Sequence, residues 1–245
     1  MPFPRAPSTT PSAGKFFYSG NELEALAGAD HYYDAIVAHF DGMLGGRVVE
    51  VGAGIGTSAE HILRRGRPRE LVLLEPAENN FPIVAERYRD EPCVRVLYGY
   101  LEQYADTLTA DALVAVNVLE HVRDDVRFLR AARRVLSPGG RVLLAVPALP
   151  ALFGSLDRAF EHHRRYTKPL LSARLAEAGF RNVRLRWFNL PGVGVWFVAA
   201  RLLRQRTIHP AAMQLYDRLV IPWVSRLERR WEPPAGQSLI AIAEA

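Results

Sequence analysis

The sequence predicts a doubly wound α/β sheet, and three observations carry that reading. Residues 46–63, G-R-V-V-E-V-G-A-G-I-G-T-S-A-E-H-I-L, set a β-branched run too short for helical periodicity (Val48, Val49, Val51) against glycines at every second position, Gly52, Gly54 and Gly56. From there to about residue 188, short apolar runs alternate with helical segments across brief loops, the pattern of a largely parallel sheet with helices on both faces. The second run, Leu71 to Leu74, stops at an acid, Glu75, at the carboxyl edge where open α/β sheets bind ligands.

Taken in order, residues 1–15 are rich in Pro, Ser and Thr and carry no apolar run long enough for a signal peptide, so they read as a disordered leader to a single domain over 16–245. Tyr32, Tyr33, Ile36, Val37 and Phe40 recur at helical spacing. This N-terminal helical segment is expected over the ligand mouth, with Tyr18, Tyr32 or Tyr33 offering a ring to a cation or an acceptor. After the first strand, Thr57 and Ser58 offer N-cap oxygens to a helix whose apolar side is Ala59, Ile62 and Leu63 and which Gly66 can end. Asn79, Asn80 and Pro82 open the next helix, and strands three and four follow at Val94 to Leu97 and Ala112 to Val116. A helix from about Asp124 to Leu136 runs into a Ser137, Pro138, Gly139, Gly140 turn before strand five, Val142 to Val146. The helix from Lys168 to Ala178 stops at Gly179, Asn182 to Phe188 alternates as strand six, and Ser238 to Ala243 supplies the last strand. Residues 189–237 between them are too many for a loop and predict two or three helices.

Strand, glycine turn and helix N-terminus together make a ligand site, because glycines let backbone approach a ligand and the helix dipole favours an anionic group. Spacing separates two ligand classes. A dinucleotide fingerprint would put its third glycine at position 57, where Thr57 stands; the observed E-x-G-x-G-x-G begins instead with an acid, Glu50. A carboxylate there can pair with an ammonium group, which S-adenosylmethionine has and a pyrophosphate lacks. Glu75 sits where an acid accepts hydrogen bonds from the ribose hydroxyls of either cofactor. A glycine turn that only packs a helix on a strand would leave that placement unexplained.

The pieces E-V-G-A-G-I-G-T (50–57), L-L-E-P (73–76), N-V-L-E-H-V (117–122) and L-S-P-G-G-R-V-L-L-A-V-P (136–147) resemble, in order and over roughly residues 46–188, the class I S-adenosylmethionine-dependent methyltransferase family. The resemblance implies a seven-stranded Rossmann-like methyltransferase sheet whose last two strands pair antiparallel, here separated by the helical insertion 189–237. It implies cofactor contacts from Glu50, Gly52, Ala53, Gly54, Gly56, Thr57, Glu75 and Pro76, and from Asn117 and Val118 after strand four. Tyr100 stands where the family usually has an acid for the adenine amino group, so adenine recognition is expected from Tyr100, from Leu101 through its backbone N–H, or from Glu102.

Methyl transfer from a sulfonium asks the protein mainly to align acceptor and methyl and, where needed, to remove a proton. Asp157 to Tyr166, D-R-A-F-E-H-H-R-R-Y, resembles a D-x-x-x-G-H-x-R-R-Y loop in a bacterial subgroup of these methyltransferases, some of them associated with glycosyltransferases. Asp157, His162, Arg164, Arg165 and Tyr166 match it, and Glu161 stands where the pattern has glycine. His162 or His163 is the expected base, with Tyr166 beside them and His121 as a rival, and Arg164 or Arg165 would anchor an acidic acceptor. The alternative is that Arg and His only tie the loop to neighbouring carboxylates. Acceptor contacts are also expected from Tyr18, Tyr33, Asn189 and Trp196, and no metal site is expected. In the insertion, the apolar run from Leu190 to Leu203 falls short of the ~20 residues that span a bilayer. A lid over the acceptor pocket is preferred to a homodimer face, and both to shallow docking on a membrane with Arg201, Arg204 and Arg206 at the headgroups.

The length of 245 residues suits one α/β domain with a full core. A net charge of +5 would permit nucleic acid as a partner, but Lys15 and Lys168 are the only lysines, the arginines are scattered, and no nucleic-acid-binding motif is present. The single Cys93 excludes an internal disulfide and fits a cytoplasmic location. The expected activity is S-adenosylmethionine-dependent methyl transfer to oxygen or nitrogen of a small molecule, sugar- or lipid-linked acceptors included, by a monomer or homodimer. Two rivals stand beside it. One is an S-adenosylmethionine-binding fold that catalyses a non-methylating reaction or serves regulation; the other is an NAD-dependent oxidoreductase, disfavoured by Thr57.

Overall fold

Seven strands, β1 (Arg47–Val51), β2 (Glu70–Glu75), β3 (Val94–Tyr98), β4 (Ala110–Val116), β5 (Leu136–Pro147), β6 (Arg181–Phe188) and β7 (Ser238–Glu244), form one sheet in the order β3-β2-β1-β4-β5-β7-β6. The first five are parallel, and β7 runs antiparallel between β5 and β6. The computed structural model describes residues 16–18, 23 and 26–245, so the leader expected at 1–15 lies outside the described residues. The order reverses between β1 and β4, which puts the topological switch point, and the crevice that goes with it, directly after the glycine loop.

The strands are β-branched and apolar on both faces because both faces are covered. Val49, Val51, Val72, Leu74, Leu113, Ala115 and Leu144 point to one side, against α4 (Asp125–Val135) and α6 (Lys168–Glu177). The alternate residues Val48, Leu71, Leu73, Val114, Leu143 and Ala145 point to the other, against α1 (Asp30–Ala38), α2 (Thr57–Gly66) and α3 (Phe81–Arg87). The expected N-terminal helical segment is therefore core: Tyr32, Tyr33, Ile36 and Val37 are all buried.

Three local expectations are corrected. The N-cap of α2 is Gly56, with no side-chain cap, and the Ser58 hydroxyl instead donates to the Glu50 carboxylate. The turn expected at Ser137–Gly140 is absorbed into β5, which starts at Leu136 with a bulge against Ala110 and Ala112; Gly139, at φ +77°, supplies the irregularity. Helix α4 accordingly ends one residue early, at Val135.

The insertion forms α7 (Leu190–Trp196), a π-helical continuation over Phe197–Leu202, α8 (Pro210–Leu219) and α9 (Ile221–Arg230); the short α5 (Ser155–Ala159) packs under the π-helical stretch. Two buried acids fasten it to the domain. Glu228 of α9 accepts from the backbone amides of Asn189 (2.8 Å) and Leu190 (3.0 Å), where the chain leaves β6. Asp217 of α8, 1% exposed, accepts from the amides of His31 (3.1 Å) and Tyr32 (2.8 Å) and from His31 Nδ1 (2.9 Å). It thereby satisfies orphan N–H groups in the first turn of α1 from 186 residues away in sequence.

Asp217→Ala strips those amides of their acceptor and should cost roughly 2–3 kcal/mol in urea unfolding. His31→Ala, on a side chain 52% exposed, should cost under ~1 kcal/mol in the same measurement.

Candidate functional site

The glycine loop opens into a cavity of about 330 Å³ at the carboxyl ends of β1, β2 and β4. Gly52, Ala53, Gly54 and Thr57 line it from the loop, Glu75 and Pro76 from the end of β2, Asn117 and Val118 from the end of β4, and Tyr18, Tyr33 and His121 from above. Gly52 has φ +70°, and a Cβ there would come 2.7 Å from Val118, so this position accepts only glycine. Gly56 also has positive φ but faces away: its virtual Cβ meets Tyr88, whose hydroxyl donates to the Gly56 carbonyl (2.7 Å). It holds the start of α2 against the end of α3 and does not line the cavity, contrary to expectation.

Glu75 lines this cavity and Glu50 lies behind it, and among the described residues neither forms a salt bridge. Glu75 accepts from the amides of Gly54 (2.7 Å) and Ala77 (2.8 Å); burial, opposed by these amides and by Asn80, lifts its pKa to about 7. Glu50 lies one layer deeper. Burial, opposed by Ser58 and reinforced by the charge of Glu75, lifts it to about 8, and its Oε2 is buried with no hydrogen-bond partner among the described residues. A group bringing an ammonium and vicinal hydroxyls fits these needs. Tyr100, Leu101 and Glu102 are not among the lining residues. Tyr100 stands half-exposed with its ring 6.4 Å from that of Phe16, Leu101 is buried in the core, and Phe16 and Asn80 take that end of the cavity instead.

A second cavity of about 210 Å³ adjoins the first, and Asn117 and Leu26 line both. Its walls are Tyr32 from α1, Glu120 and His162, and Asn189, Trp196, Met213 and Tyr216 from the insertion. No Lys or Arg is among them. Asn189, at φ +65°, turns the chain out of β6 and accepts from Gly192 N (3.1 Å) and from the Tyr216 hydroxyl, so it orders the wall.

The loop that joins the two cavities is organised by Asp157, fully buried. Its Oδ1 accepts from Arg165 Nε (2.6 Å) and pairs with His162 Nδ1 (3.1 Å); its Oδ2 accepts from Gly154 N (2.8 Å) and Trp196 Nε1 (3.2 Å). Burial works against its ionisation, but the His162 hydrogen bond and the Arg165 charge outweigh it and hold the carboxyl below its usual range. With Nδ1 given to a carboxylate, Nε2 is the proton-accepting atom of His162. His121 packs edge-on to His162, ring centroids 4.8 Å apart, and burial followed by the charges of His162 and His163 depresses its pKa to about 3. It is a poor base at neutral pH. His163 is exposed on the side of the first cavity, its pKa lowered by partial burial and by Arg123 and Arg164. The donor atoms of Glu120, His121 and His162 lie within 4.8 Å of one another, a grouping of metal-ligating chemistry that the sequence reading, which expected no metal, did not anticipate.

Three expected site residues are structural. Arg165 is 2% exposed, bonded to Asp157 and to the Ala148 carbonyl (2.8 Å), its guanidinium 4.5 Å from the Trp196 ring centroid. Arg164 donates to the carbonyls of Val122 and Arg123 and pairs with Asp125 (3.1 Å). Tyr166 is fully buried in the core, its hydroxyl donating to Asp125 (3.1 Å), and burial raises its pKa. The charge cluster that looked like an acceptor anchor is spent on holding the loop. Tyr32, one of the rings expected at the ligand mouth, lines the second cavity, whereas Glu120, Met213 and Tyr216 went unrecognised because they belong to no local motif.

The chain matches the family model described as methyltransferase domain over residues 26–185. It is 30% identical over 191 residues to a ubiquinone biosynthesis O-methyltransferase of Azorhizobium caulinodans, covering 68% of this chain and 74% of that protein. It is 29% identical over 222 residues to the protein of the same name in Xanthomonas oryzae pv. oryzae, covering 76% and 88%. Among solved structures it is similar to a Thermotoga maritima S-adenosylmethionine-dependent methyltransferase described as a possible histamine N-methyltransferase (TM-score 0.61, 18% identity, 91% of this chain and 95% of that one). It is also similar to the Haemonchus contortus phosphoethanolamine N-methyltransferase 2 solved with S-adenosylhomocysteine (TM-score 0.64, 17% identity, 93% and 57%).

Glu161, in the position where the loop pattern has glycine, adopts φ +60°. A side chain in that region costs about 1–2 kcal/mol, partly offset by the extra unfolded-state freedom of glycine. Glu161→Gly should therefore keep the fold and gain up to ~1 kcal/mol in chemical denaturation, whereas Glu161→Val should lose stability.

Proposed function

The chain belongs to the methyltransferase-domain family, and on that premise we propose that it transfers the methyl group of S-adenosylmethionine to an oxygen of a small, uncharged acceptor. The observation that carries the reading is the junction of the two cavities at Asn117 and Leu26, with an Asp157-oriented imidazole on the acceptor side. S-adenosylmethionine supplies an electrophilic methyl on a leaving group that is already activated. Glu75 would accept the ribose hydroxyls, Glu50 and the end of β4 would answer the ammonium, and Gly52 and Gly54 would let the backbone close on the ligand.

On the acceptor side, His162 Nε2 would take the hydroxyl proton as the new C–O bond forms, while Asp157 holds the ring in the productive tautomer. A hydroxyl needs such a base, which favours oxygen over nitrogen. The name of the bacterial relatives, O-methyltransferases, points the same way. No Lys or Arg is among the described residues that line the second cavity, which supports an uncharged acceptor over the acidic one of the sequence reading.

Cofactor binding is tested by calorimetry. Glu75→Ala should weaken S-adenosylmethionine by roughly 30- to 1,000-fold, the worth of two charge-assisted hydrogen bonds, and NAD should not compete. The sign of the pH effect follows from the raised pKa values. In the ligand-free protein Glu75 (about 7) and Glu50 (about 8) are largely protonated at pH 6, whereas the bound state favours both as carboxylates, so wild-type affinity should rise between pH 6 and pH 8.

Catalysis is tested on His162. His162→Ala should leave cofactor affinity within a few-fold and lower kcat by roughly 10²-fold or more with a phenolic or catecholic test acceptor, and His163→Ala should not. Equal loss in both variants, or no loss in either, overturns the base assignment.

A further inference from the structure

The inner face of the insertion walls the second cavity, and its outer face carries an unusual load. Leu202, Leu203, Leu215, Leu219, Trp223 and Leu227 are each 60% or more exposed, and among the described residues every large apolar side chain at that level, Phe17 apart, lies in this segment. The exposures repeat at helical spacing. On α8 they fall at Leu215 and Leu219, and on α9 at Trp223 and Leu227, so each helix turns an apolar stripe away from the core. Soluble surfaces scatter such residues singly; a repeated stripe on adjoining helices marks a docking face.

The charge of the segment selects the occupant. Residues 189–237 contain seven arginines (201, 204, 206, 218, 226, 229 and 230) and three acids (Asp217, Glu228 and Glu232), an excess of four positive charges within a chain whose net charge is +5. All seven arginines are exposed. Asp217 and Glu228 are buried on backbone amides, and Glu232 is paired with Lys168, so the acids do little to neutralise the outer surface. Arg226 sits 5.7 Å from the Trp223 ring centroid, a cation beside the most exposed aromatic of the stripe. A second copy on this face would bring like charge against like charge across a two-fold axis. An anionic bilayer offers what both components need: headgroups for the arginines and an acyl boundary for Trp and Leu.

We propose that the outer face of α7 to α9 docks in the interfacial layer of an anionic lipid bilayer. None of the described helices is long and apolar enough to cross a membrane, so the contact is lateral. Helices α7 and α8 carry both this face and the cavity wall, through Val195 and Trp196 on one and Ala212, Met213 and Tyr216 on the other, so an apolar acceptor could pass from bilayer to cavity without crossing bulk water. That last link rests on the reading of the second cavity as the acceptor site; docking itself does not, and its test needs neither cofactor nor acceptor.

The experiment is cosedimentation of the chain with vesicles of phosphatidylcholine alone and of phosphatidylcholine mixed with phosphatidylglycerol, alongside sedimentation equilibrium without lipid. Wild type should pellet with the anionic vesicles and stay largely in solution with the zwitterionic ones. Arg226→Gln/Arg230→Gln should weaken partitioning roughly 30-fold, about five-fold per charge removed, and raised salt should do likewise. Trp223→Ser/Leu227→Ser should abolish pelleting with an unchanged melting temperature, since both side chains are exposed. The proposal is overturned if wild type stays in solution with anionic vesicles, or pellets equally with both lipids. It is also overturned if the chain is a dimer that the Trp223/Leu227 variant dissociates, which makes the face an interface between copies.

Discussion

One buried carboxylate, Asp157, holds together the parts of this molecule that come from different places in the chain. An acid with no solvent access should be protonated, yet four donors converge on it and one of them, Arg165, is a guanidinium just as deeply buried. The two charges are mutually necessary. Arg165 without Asp157 would be a cation in the core beneath an indole, at a cost of several kcal/mol, and Asp157 without Arg165 would take up a proton. Because the pKa of Asp157 is depressed, its contribution is present at every pH above the ordinary value of 3.8 and is lost only as acid passes through the lower folded value. From this one point the loop's path is set through Gly154, the tautomer of His162 through Nδ1, and the seat of the insertion through Trp196.

The insertion repeats that logic on a larger scale. Its acids are turned inward onto backbone amides: Asp217 caps α1, and Glu228 caps the exit from β6. Each satisfies donors that helix and strand ends leave over, so each anchors a helix without needing an apolar face on that side. The consequence is a segment whose buried side is fixed by a few polar contacts and a modest set of apolar ones, Ile221, Val224 and Ala200 among them. Many of its apolar residues are thereby left outside, with the arginines.

The fold was legible because its evidence is local. β-branched runs, a glycine turn and an acid at the end of the second strand lie within about thirty residues, and the alternation that follows admits few sheet topologies. The lining of the first cavity was legible for the same reason: Gly52, Gly54, Thr57, Glu75, Asn117 and Val118 follow closely on the carboxyl ends of β1, β2 and β4, and all line it. The second cavity was legible only in part: His162, Asn189 and Trp196, expected from the sequence, line it, and Arg164, Arg165 and Tyr166 do not. Arg164, Arg165 and Tyr166 looked available because composition cannot show that Asp125, Asp157 and the carbonyls of Leu119, Val122, Arg123 and Ala148 already claim them. Tyr32 and Tyr216, 184 positions apart, meet only because Asp217 brings α8 onto α1. The Glu161 mismatch proved less disruptive than its chemistry suggests, since the backbone keeps the left-handed turn that glycine would prefer and carries the strain.

Under the proposed function, these positions also settle how charge moves. Methylating a hydroxyl takes a positive charge out of the cofactor cavity and leaves it on whichever group takes the proton. His162 is the one imidazole of the three in this region that lines the acceptor cavity and pairs with a carboxylate, so an imidazolium there is answered at 3.1 Å by Asp157. Arg165 shares that carboxylate and limits how long the imidazolium persists, which suits a base that must release its proton before the next cycle. His121, with a pKa near 3, stays neutral between the cavities and adds no repulsion to an arriving sulfonium. On this reading the proton goes to His162 Nε2, on the cavity wall beside Trp196, Met213, Tyr32 and Tyr216. Specificity would then rest on shape, on apolar contact and on the polar lining residues Asn117, Glu120 and Asn189, with the acceptor hydroxyl within reach of His162 Nε2.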